Sequence, residues 1–321
     1  MTSRRLIRIK VLQLFYAFTK KENTTIEKLG RDLSKSMSST LDLYYETILL
    51  ILELRNKAEQ KIDFARNRRF PSNEDLNPNL RFVENPILSI IANNNRFKHY
   101  TSTQLISWNN SSETVLYFYN KLTACDKYKE YMAKEDVDFN DHKDFILYIF
   151  TELIAQDELF FQTMEDKNIY WNDDFELTFN CIYKTINQLK ESDNKEEAVE
   201  KEIFTRMFKQ GEDEDFAQSL MLRLCHNHQK NMQLIEKHIQ NWELDRISEI
   251  DKIIMSLALT ELKHFASIPI KVSFDEYIEI AKLYSSSKSG GFINGVLDKA
   301  VAELKENNLI LKTGRGLVET K

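Results

Sequence analysis

No glycine occurs between Gly30 and Gly211, and the whole chain of 321 residues holds only 7 Gly and 4 Pro. Sheets need many tight turns, and turns draw on the positive φ of glycine and the fixed φ of proline. A chain this poor in both is left with helices joined by polar connections. The same gap removes Gly-rich phosphate loops and dinucleotide fingerprints from most of the sequence. The later glycines, at 290, 291, 295, 314 and 316, match neither pattern. With 42% hydrophobic residues the chain can bury a real core, and its length allows two domains. The expected fold class is all-α.

Charge and cysteine usage narrow the setting. Cys125, Cys181 and Cys225 are odd in number and far apart, which fits free thiols in a reducing compartment, and no Cys-x-x-Cys zinc spacing occurs. The start of the chain has no apolar run of signal-peptide type, and no stretch is apolar enough to span a bilayer. The expectation is a cytoplasmic protein with no membrane association. Net charge is −6, yet residues 1–21 carry Arg4, Arg5, Arg8, Lys10, Lys20 and Lys21 and no acid. A basic end on an acidic protein suits a local contact with RNA. A solvated basic terminus fits the same residues.

Helical spacing organises both ends. Over residues 3–18, Ile7, Val11, Leu14, Phe15 and Phe18 fall on one stripe. At ~100° per residue, Arg5 and Tyr16 project within about 20° of each other on the opposite side, with Gln13 further round. Leu41–Ile62 reads as a second strong helix. Residues 66–86 hold three of the four prolines and read as a linker or irregular loop, whose Arg66, Arg68 and Arg69 fit either RNA contact or a solvated surface. Residues 87–190 are helical in pattern and rich in aromatics. Within them Asp144, Phe145, Leu153, Glu165, Trp171, Asp174 and Ile182 recur 71 residues later as Asp215, Phe216, Leu224, Glu236, Trp242, Asp245 and Ile253. That recurrence suggests a partial duplication. The charged run 190–202 reads as a connection between two bundles or as a polar helix. Cys225, His226 and His228 do not form a metal site on a helix, because positions i and i+2 diverge by about 160°.

The C-terminal region reads as three helices. Ile250, Ile253, Ile254, Leu257, Ala258 and Leu262 carry the first, which ends before Pro269. Ser273 with Glu276 reads as a capping box opening the second. The run Ser285–Gly291 breaks it, and Phe292, Val296, Leu297, Val301 and Leu304 restart the period. Gly295 is expected to permit close helix packing.

This region resembles the NusB family. The resemblance is carried by Asp245–Arg246, Asp251, Ala258–Leu259, Glu261–Leu262, Ile268–Pro269, Val272, Glu276 and Ala281–Lys282. It ends on the specific run Phe292-Ile-Asn-Gly-Val-Leu-Asp298. At the other end, Arg4-Arg5-x-x-Arg8 followed by Gln13-x-x-Tyr16 looks like the family's arginine-rich start. Leu6 departs from it, since some members hold a third consecutive arginine there. Residues 87–190 have no counterpart in the short members. The resemblance implies a NusB-like helical bundle with an additional inserted helical region. Its parts would be 1–65 as N-terminal helices, 66–200 as the insertion with loop and charged linker, 201–312 as the C-terminal core, and 313–321 as a disordered tail.

What the resemblance implies for function is transcription antitermination. The chain would bind the boxA element of nascent ribosomal RNA together with NusE, a small-subunit ribosomal protein, and join the elongating RNA polymerase complex. Arg4, Arg5 and Arg8 would meet phosphate, Tyr16 would stack, and Gln13 would read a base edge. Lys282, Lys288, Ser289, Phe292 and Asn294 would add RNA contacts around the helix break, although Phe292 and Asn294 also suit a core anchor and a local hydrogen bond. Asp245, Asp251 and Glu261 are the candidate partner-facing acids. No nucleophile with a base, no carboxylate pair in a cleft and no cofactor motif stands out, so neither enzyme activity nor a cofactor is expected. The competing class is a protein–protein adaptor that keeps the fold without sequence-specific RNA binding.

Overall fold

The computed structural model describes residues 3–21, 25–194, 199–239, 247–286 and 288–317, and every regular element among them is helical. The chain opens with α1 (Ser3–Thr19) and the long α2 (Ile26–Arg66). Shorter helices follow: α3 (Asn73–Leu76), α4 (Pro86–Asn93), α5 (Asn95–Thr103), α6 (Ser112–Ala124), α7 (Asp126–Ala133), α8 (Phe139–Tyr148), α9 (Glu158–Lys167) and α10 (Phe175–Gln188). The last four are α11 (Glu212–His238), α12 (Glu249–His264), α13 (Ile270–Tyr284) and α14 (Ser289–Glu306). No helix among the described residues is long and apolar enough to cross a membrane.

Two compact units emerge: Met1–Met37 with Phe208–Lys321, and Ser38–Met207. The first boundary therefore falls inside α2, not after residue 65 where proline punctuation places it. The side chains explain why. Leu29, Leu33 and Met37 join the core of the terminal unit, and Gln218 Nε2 donates to the Gly30 carbonyl at 2.9 Å. A side chain at Gly30 would begin 3.0 Å from Gln218 Oε1, so the amide end of Gln218 would have to shift to admit it. From Ser39 onward α2 serves the inserted unit. Trp171 Nε1 donates to the Ser39 carbonyl at 2.7 Å, Trp108 Nε1 to the Glu46 carbonyl at 3.0 Å, and Tyr44 OH lies 2.6 Å from Thr185 Oγ1. Ile48, Leu50, Ile51 and Leu52 are interior to that unit, and Leu49 is half-buried.

The aromatic segments of the insertion supply its core. Tyr45 stacks on Tyr100 with ring centroids 4.1 Å apart, and Tyr131 on Phe145 at 3.9 Å. One π-helical stretch, Ile149–Ile154, follows α8, and Lys121 Nζ donates to the Leu153 carbonyl there at 3.0 Å. The run 190–202 is no free linker where it is described. Asn95 N donates to the Val199 carbonyl and Asn94 Nδ2 to the Lys201 carbonyl, both at 2.9 Å, which ties it to α5.

In the terminal unit α12 is the central helix: all ten residues from Ile253 to Leu262 are buried. A helix closed on every side must be surrounded, and α1, α11, α13 and α14 pack around it. Two expectations for its neighbours change. The helix α13 starts at Ile270, with Pro269 in the capping position, and Ser273 N donates to the Pro269 carbonyl at 3.2 Å. Ser273 is thus already helical, and the Ser273–Glu276 pair is no capping box. The cap lies instead on α12, where Ser248 Oγ accepts from Asp251 N at 3.1 Å. Of the tail, residues 313–317 are docked. Thr313 N donates to the Ala266 carbonyl at 3.0 Å, and a Cβ on Gly316 would lie 1.9 Å from that same oxygen.

Gly295 also departs from expectation. It is an exposed residue inside α14, and a Cβ there would meet nothing within 4 Å. Gly295→Ala should stabilise the terminal unit by about 1 kcal/mol, because alanine loses less backbone entropy in a helix. Thermal unfolding should show the midpoint rising by about 2–4 °C. An unchanged or lowered midpoint would mean that glycine is required there by something the open space does not reveal.

Candidate nucleic-acid interface

The three N-terminal arginines are held very differently. Arg4 and Arg8 share a side of α1, one turn apart, and Arg5 lies beside them. Arg4 Nη2 lies 2.8 Å from Glu212 Oε1 and its Nε 2.7 Å from Asp213 Oδ1, with the guanidinium 4.3 Å from the Phe216 ring centre. Arg5 forms a fork on Glu276, with Nε 2.8 Å from Oε2 and Nη2 3.2 Å from Oε1. Arg8 is 2% exposed, and its Nε and Nη2 each donate to one oxygen of Glu261 at 2.8 Å. The fully buried Glu261 also accepts from Ser273 Oγ at 2.7 Å and Tyr277 OH at 3.1 Å. Burial alone would lower the Arg8 pKa; Glu261 more than offsets it and raises the value above that of free arginine. Burial, followed by the nearby Glu261 charge, pushes the Tyr277 phenol well up.

Two site expectations are therefore corrected. Arg8 points into the core and cannot meet RNA phosphate in this arrangement, and Glu261 cannot face a partner. A buried charge is tolerated only when paired and hydrogen-bonded, and these two satisfy each other. Leu6, where an arginine was noted as missing, is itself fully buried.

Other candidates remain outside. Tyr16 is 37% exposed, with Lys20 Nζ 5.5 Å from its ring centre. Gln13 Nε2 donates to Tyr284 OH at 2.9 Å. The pairs Arg5–Glu276 and Gln13–Tyr284 have equal spacing along both helices, so α1 and α13 run alongside each other in the same direction between them. That register brings residues from opposite ends of the sequence onto one surface. Lys282, exposed on α13, reaches Glu279 Oε1 at 2.6 Å. Lys288 is exposed at the start of α14, and Gly290 and Gly291 form the first turn of that helix.

The break between α13 and α14 holds a hydroxyl chain that closes inward. Ser285 Oγ donates to Ser289 Oγ at 2.8 Å, and Ser289 Oγ donates to Asp251 Oδ2 at 3.1 Å. Ser289 and Asp251 are 7% and 6% exposed, so both are interior and neither is placed for RNA or a partner. Phe292 is half-buried against the core. Asn294 Nδ2 donates to Asp298 Oδ2 at 3.1 Å, one turn on, and both line a cavity of about 850 Å³ with Lys271, Phe274, Lys305 and Lys312. Asp245, together with Trp242 of the suggested repeat, lies outside the described residues. Near the Cys225 cluster, His228 Nδ1 lies 3.0 Å from Ser256 Oγ and its ring sits edge-on to Phe15, and burial lowers its pKa. Sequence reasoning missed Glu276 as the partner of Arg5, and Ser273 and Tyr277 as hydroxyl donors to Glu261. Their only signal was their position on the helix that follows Glu261.

The NusB family model matches residues 176–302, beginning within α10. A transcription antitermination protein NusB from Bacillus pumilus is 35% identical over 106 residues, which cover 33% of this chain and 81% of that protein. The chain belongs to the NusB family. Proteins of the same name from Salinibacter ruber and Chloroherpeton thalassium are 45% and 48% identical over 104 and 85 residues. Those matches cover 32% and 26% of this chain, and 65% and 40% of the respective NusB proteins. A solved structure of T. maritima NusB is 34% identical, with 33% of this chain and 75% of that one covered and a TM-score of 0.29. The matched relatives thus correspond to about a third of the chain.

Proposed function

We propose that this chain is an RNA-binding transcription antitermination factor of the cytoplasm. It takes up boxA of nascent ribosomal RNA together with NusE and joins the elongating RNA polymerase complex. The observation that carries this reading is the joint surface of α1 and α13. There Gln13 and the half-exposed Tyr16 supply an amide and an aromatic face, and Lys282 and Lys288 supply cations nearby in sequence. Arg4 and Arg5 stay at the surface at about a quarter exposure, where phosphate would compete with their carboxylate partners. Such a surface suits single-stranded RNA, whose bases can stack and whose edges are open to hydrogen bonds. The work is binding and scaffolding. Asp245 is kept as a candidate contact for the protein partner.

A second reading has one observation in its favour: all three N-terminal arginines already hold carboxylates. On that reading the chain is a protein–protein adaptor in which the basic end stabilises the fold.

Fluorescence anisotropy with labelled boxA-type RNA and a scrambled control, with and without NusE, separates the two. An antitermination factor should prefer boxA, bind more tightly with NusE present, and lose affinity as salt rises. Tyr16→Ala should weaken boxA binding about tenfold, with helicity unchanged, since one stacked base is worth ~1–3 kcal/mol. Equal, weak binding of both RNAs, indifferent to NusE, would leave the adaptor reading in place.

A further inference from the structure

The inserted unit ends α2 on an unusual exposed turn. Between Lys61 and Ser72 the chain carries Lys61, Arg66, Arg68 and Arg69 against one acid, Asp63, within a protein of net charge −6. Phe64 and Phe70 flank the arginines and are 70% and 83% exposed. Each ring has a guanidinium beside it, Arg68 at 5.9 Å from the Phe64 centre and Arg69 at 5.5 Å from that of Phe70. Arg68 has one loose ionic contact, 3.4 Å from Asp75, and among the described residues Arg66 and Arg69 have no carboxylate within 4.0 Å. These arginines therefore differ from those of α1, whose forks are filled.

The turn is held at both ends. Asn67 Nδ2 donates to the Asp63 carbonyl at 2.8 Å, closing the last turn of α2. On the far side Ser72 and Asp75 form a reciprocal capping box on α3. The backbone on either side of the arginines is thereby fixed, and a ligand has mainly their side chains and the two rings to order.

We propose that this turn is a second contact for single-stranded nucleic acid, on a different unit from the α1–α13 surface and independent of it. Arg66 and Arg69 pair with phosphates, and the open faces of Phe64 and Phe70 stack with bases. The chemistry selects this ligand over others. Guanidinium forks match phosphate oxygens bidentately. An aromatic ring accepts any base whose face is free, which a duplex does not offer. An anionic membrane is the poorer fit: two exposed rings in the turn offer little of the apolar area that a membrane-lying segment buries.

The test uses the full chain and ~12-nucleotide labelled oligouridylate and oligodeoxythymidylate, within the usual site size for such contacts. A duplex RNA of equal length and vesicles of equal parts phosphatidylcholine and phosphatidylglycerol are the controls. Phe64→Ala with Phe70→Ala should weaken binding of one or both oligomers at least tenfold while leaving thermal unfolding unchanged, because both rings are exposed. Arg66→Ala with Arg69→Ala should reduce the salt slope by about 1.4, the value for two single-strand phosphate contacts. Comparing the two oligomers assigns RNA or DNA. Both losses should persist in a Tyr16→Ala background. Unaltered oligomer affinity in the phenylalanine variant, equal binding of duplex, or ring-dependent vesicle binding without an oligomer effect would each overturn the proposal. A silent Tyr16→Ala beside sensitive turn variants would instead count against the α1 surface alone.

Discussion

Glu261→Ala should destabilise the terminal unit by about 3–5 kcal/mol, the usual cost of breaking a buried pair from one side. Four donors converge on this carboxylate: two from Arg8, one from Ser273 and one from Tyr277. Alanine would leave a guanidinium buried without a counter-charge and two hydroxyls without an acceptor. The helix that carries Glu261 is the hub of the unit, so nothing nearby can open to admit water cheaply. Denaturant unfolding followed by circular dichroism measures the effect. Arg8→Ala should be similarly costly, and the Arg8→Ala/Glu261→Ala double variant should be clearly less destabilised than the sum of the two. Strict additivity, or a cost below about 1 kcal/mol for Glu261→Ala, would show that the pair is not the constraint its geometry implies. This result also limits the obvious RNA experiment. Removing Arg4, Arg5 and Arg8 together would unfold the unit while abolishing binding, and so could not report on phosphate contacts. Tyr16, which supports nothing in the core, is the cleaner probe.

The helices were legible because apolar spacing records which side of a helix is buried. Ile253, Ile254, Leu257, Ala258 and Leu262 mark α12 without help from tertiary structure. The all-α class followed from the missing turn residues. The division into units was less legible. Its first boundary lies in the middle of α2, where a continuous helix needs no breaker, so prolines point to the wrong place. Charge was the least legible of all. An arginine bound to phosphate and one bound to a buried glutamate look identical in sequence, and Arg8 and Glu261 are separated by 253 positions. The Ser273–Glu276 spacing satisfied the capping pattern, yet Pro269 starts the helix earlier and frees Glu276 to hold Arg5 and Ser273 to donate to Glu261.

Glu276 holds Arg5 and lies 3.9 Å from Arg8, so it bridges a partly exposed arginine and a buried one. The Arg5–Glu276 and Arg8–Glu261 forks fix the side of α1 that faces α12 and α13. Gln13 and Tyr16, further along the same helix, take their position from those contacts. A surface built this way owes its geometry to residues first read as the binding residues themselves.

In the inserted unit the largest effect should come from Lys167→Met, and it should depend on pH. Lys167 Nζ lies 2.6 Å from Glu46 Oε1 and 3.9 Å from the centre of the Trp108 ring. Burial raises the Glu46 pKa above the usual carboxylate value, and Lys167 opposes that rise. Removing the lysine lets the pKa climb further. A carboxyl whose folded pKa exceeds its unfolded value favours folding at low pH, where both states are protonated or the folded state holds the proton more tightly. That contribution is lost as pH rises through the folded pKa. The variant should therefore be destabilised by about 3 kcal/mol at pH 7 and by much less near pH 4. Methionine keeps a sulfur–aromatic contact with Trp108, which limits the change to the loss of charge. Adding Glu46→Gln should remove most of the pH dependence. A deficit of equal size at both pH values would assign the role of Lys167 to its cation–π contact with Trp108, and would mean that Glu46 gains nothing from its ion pair.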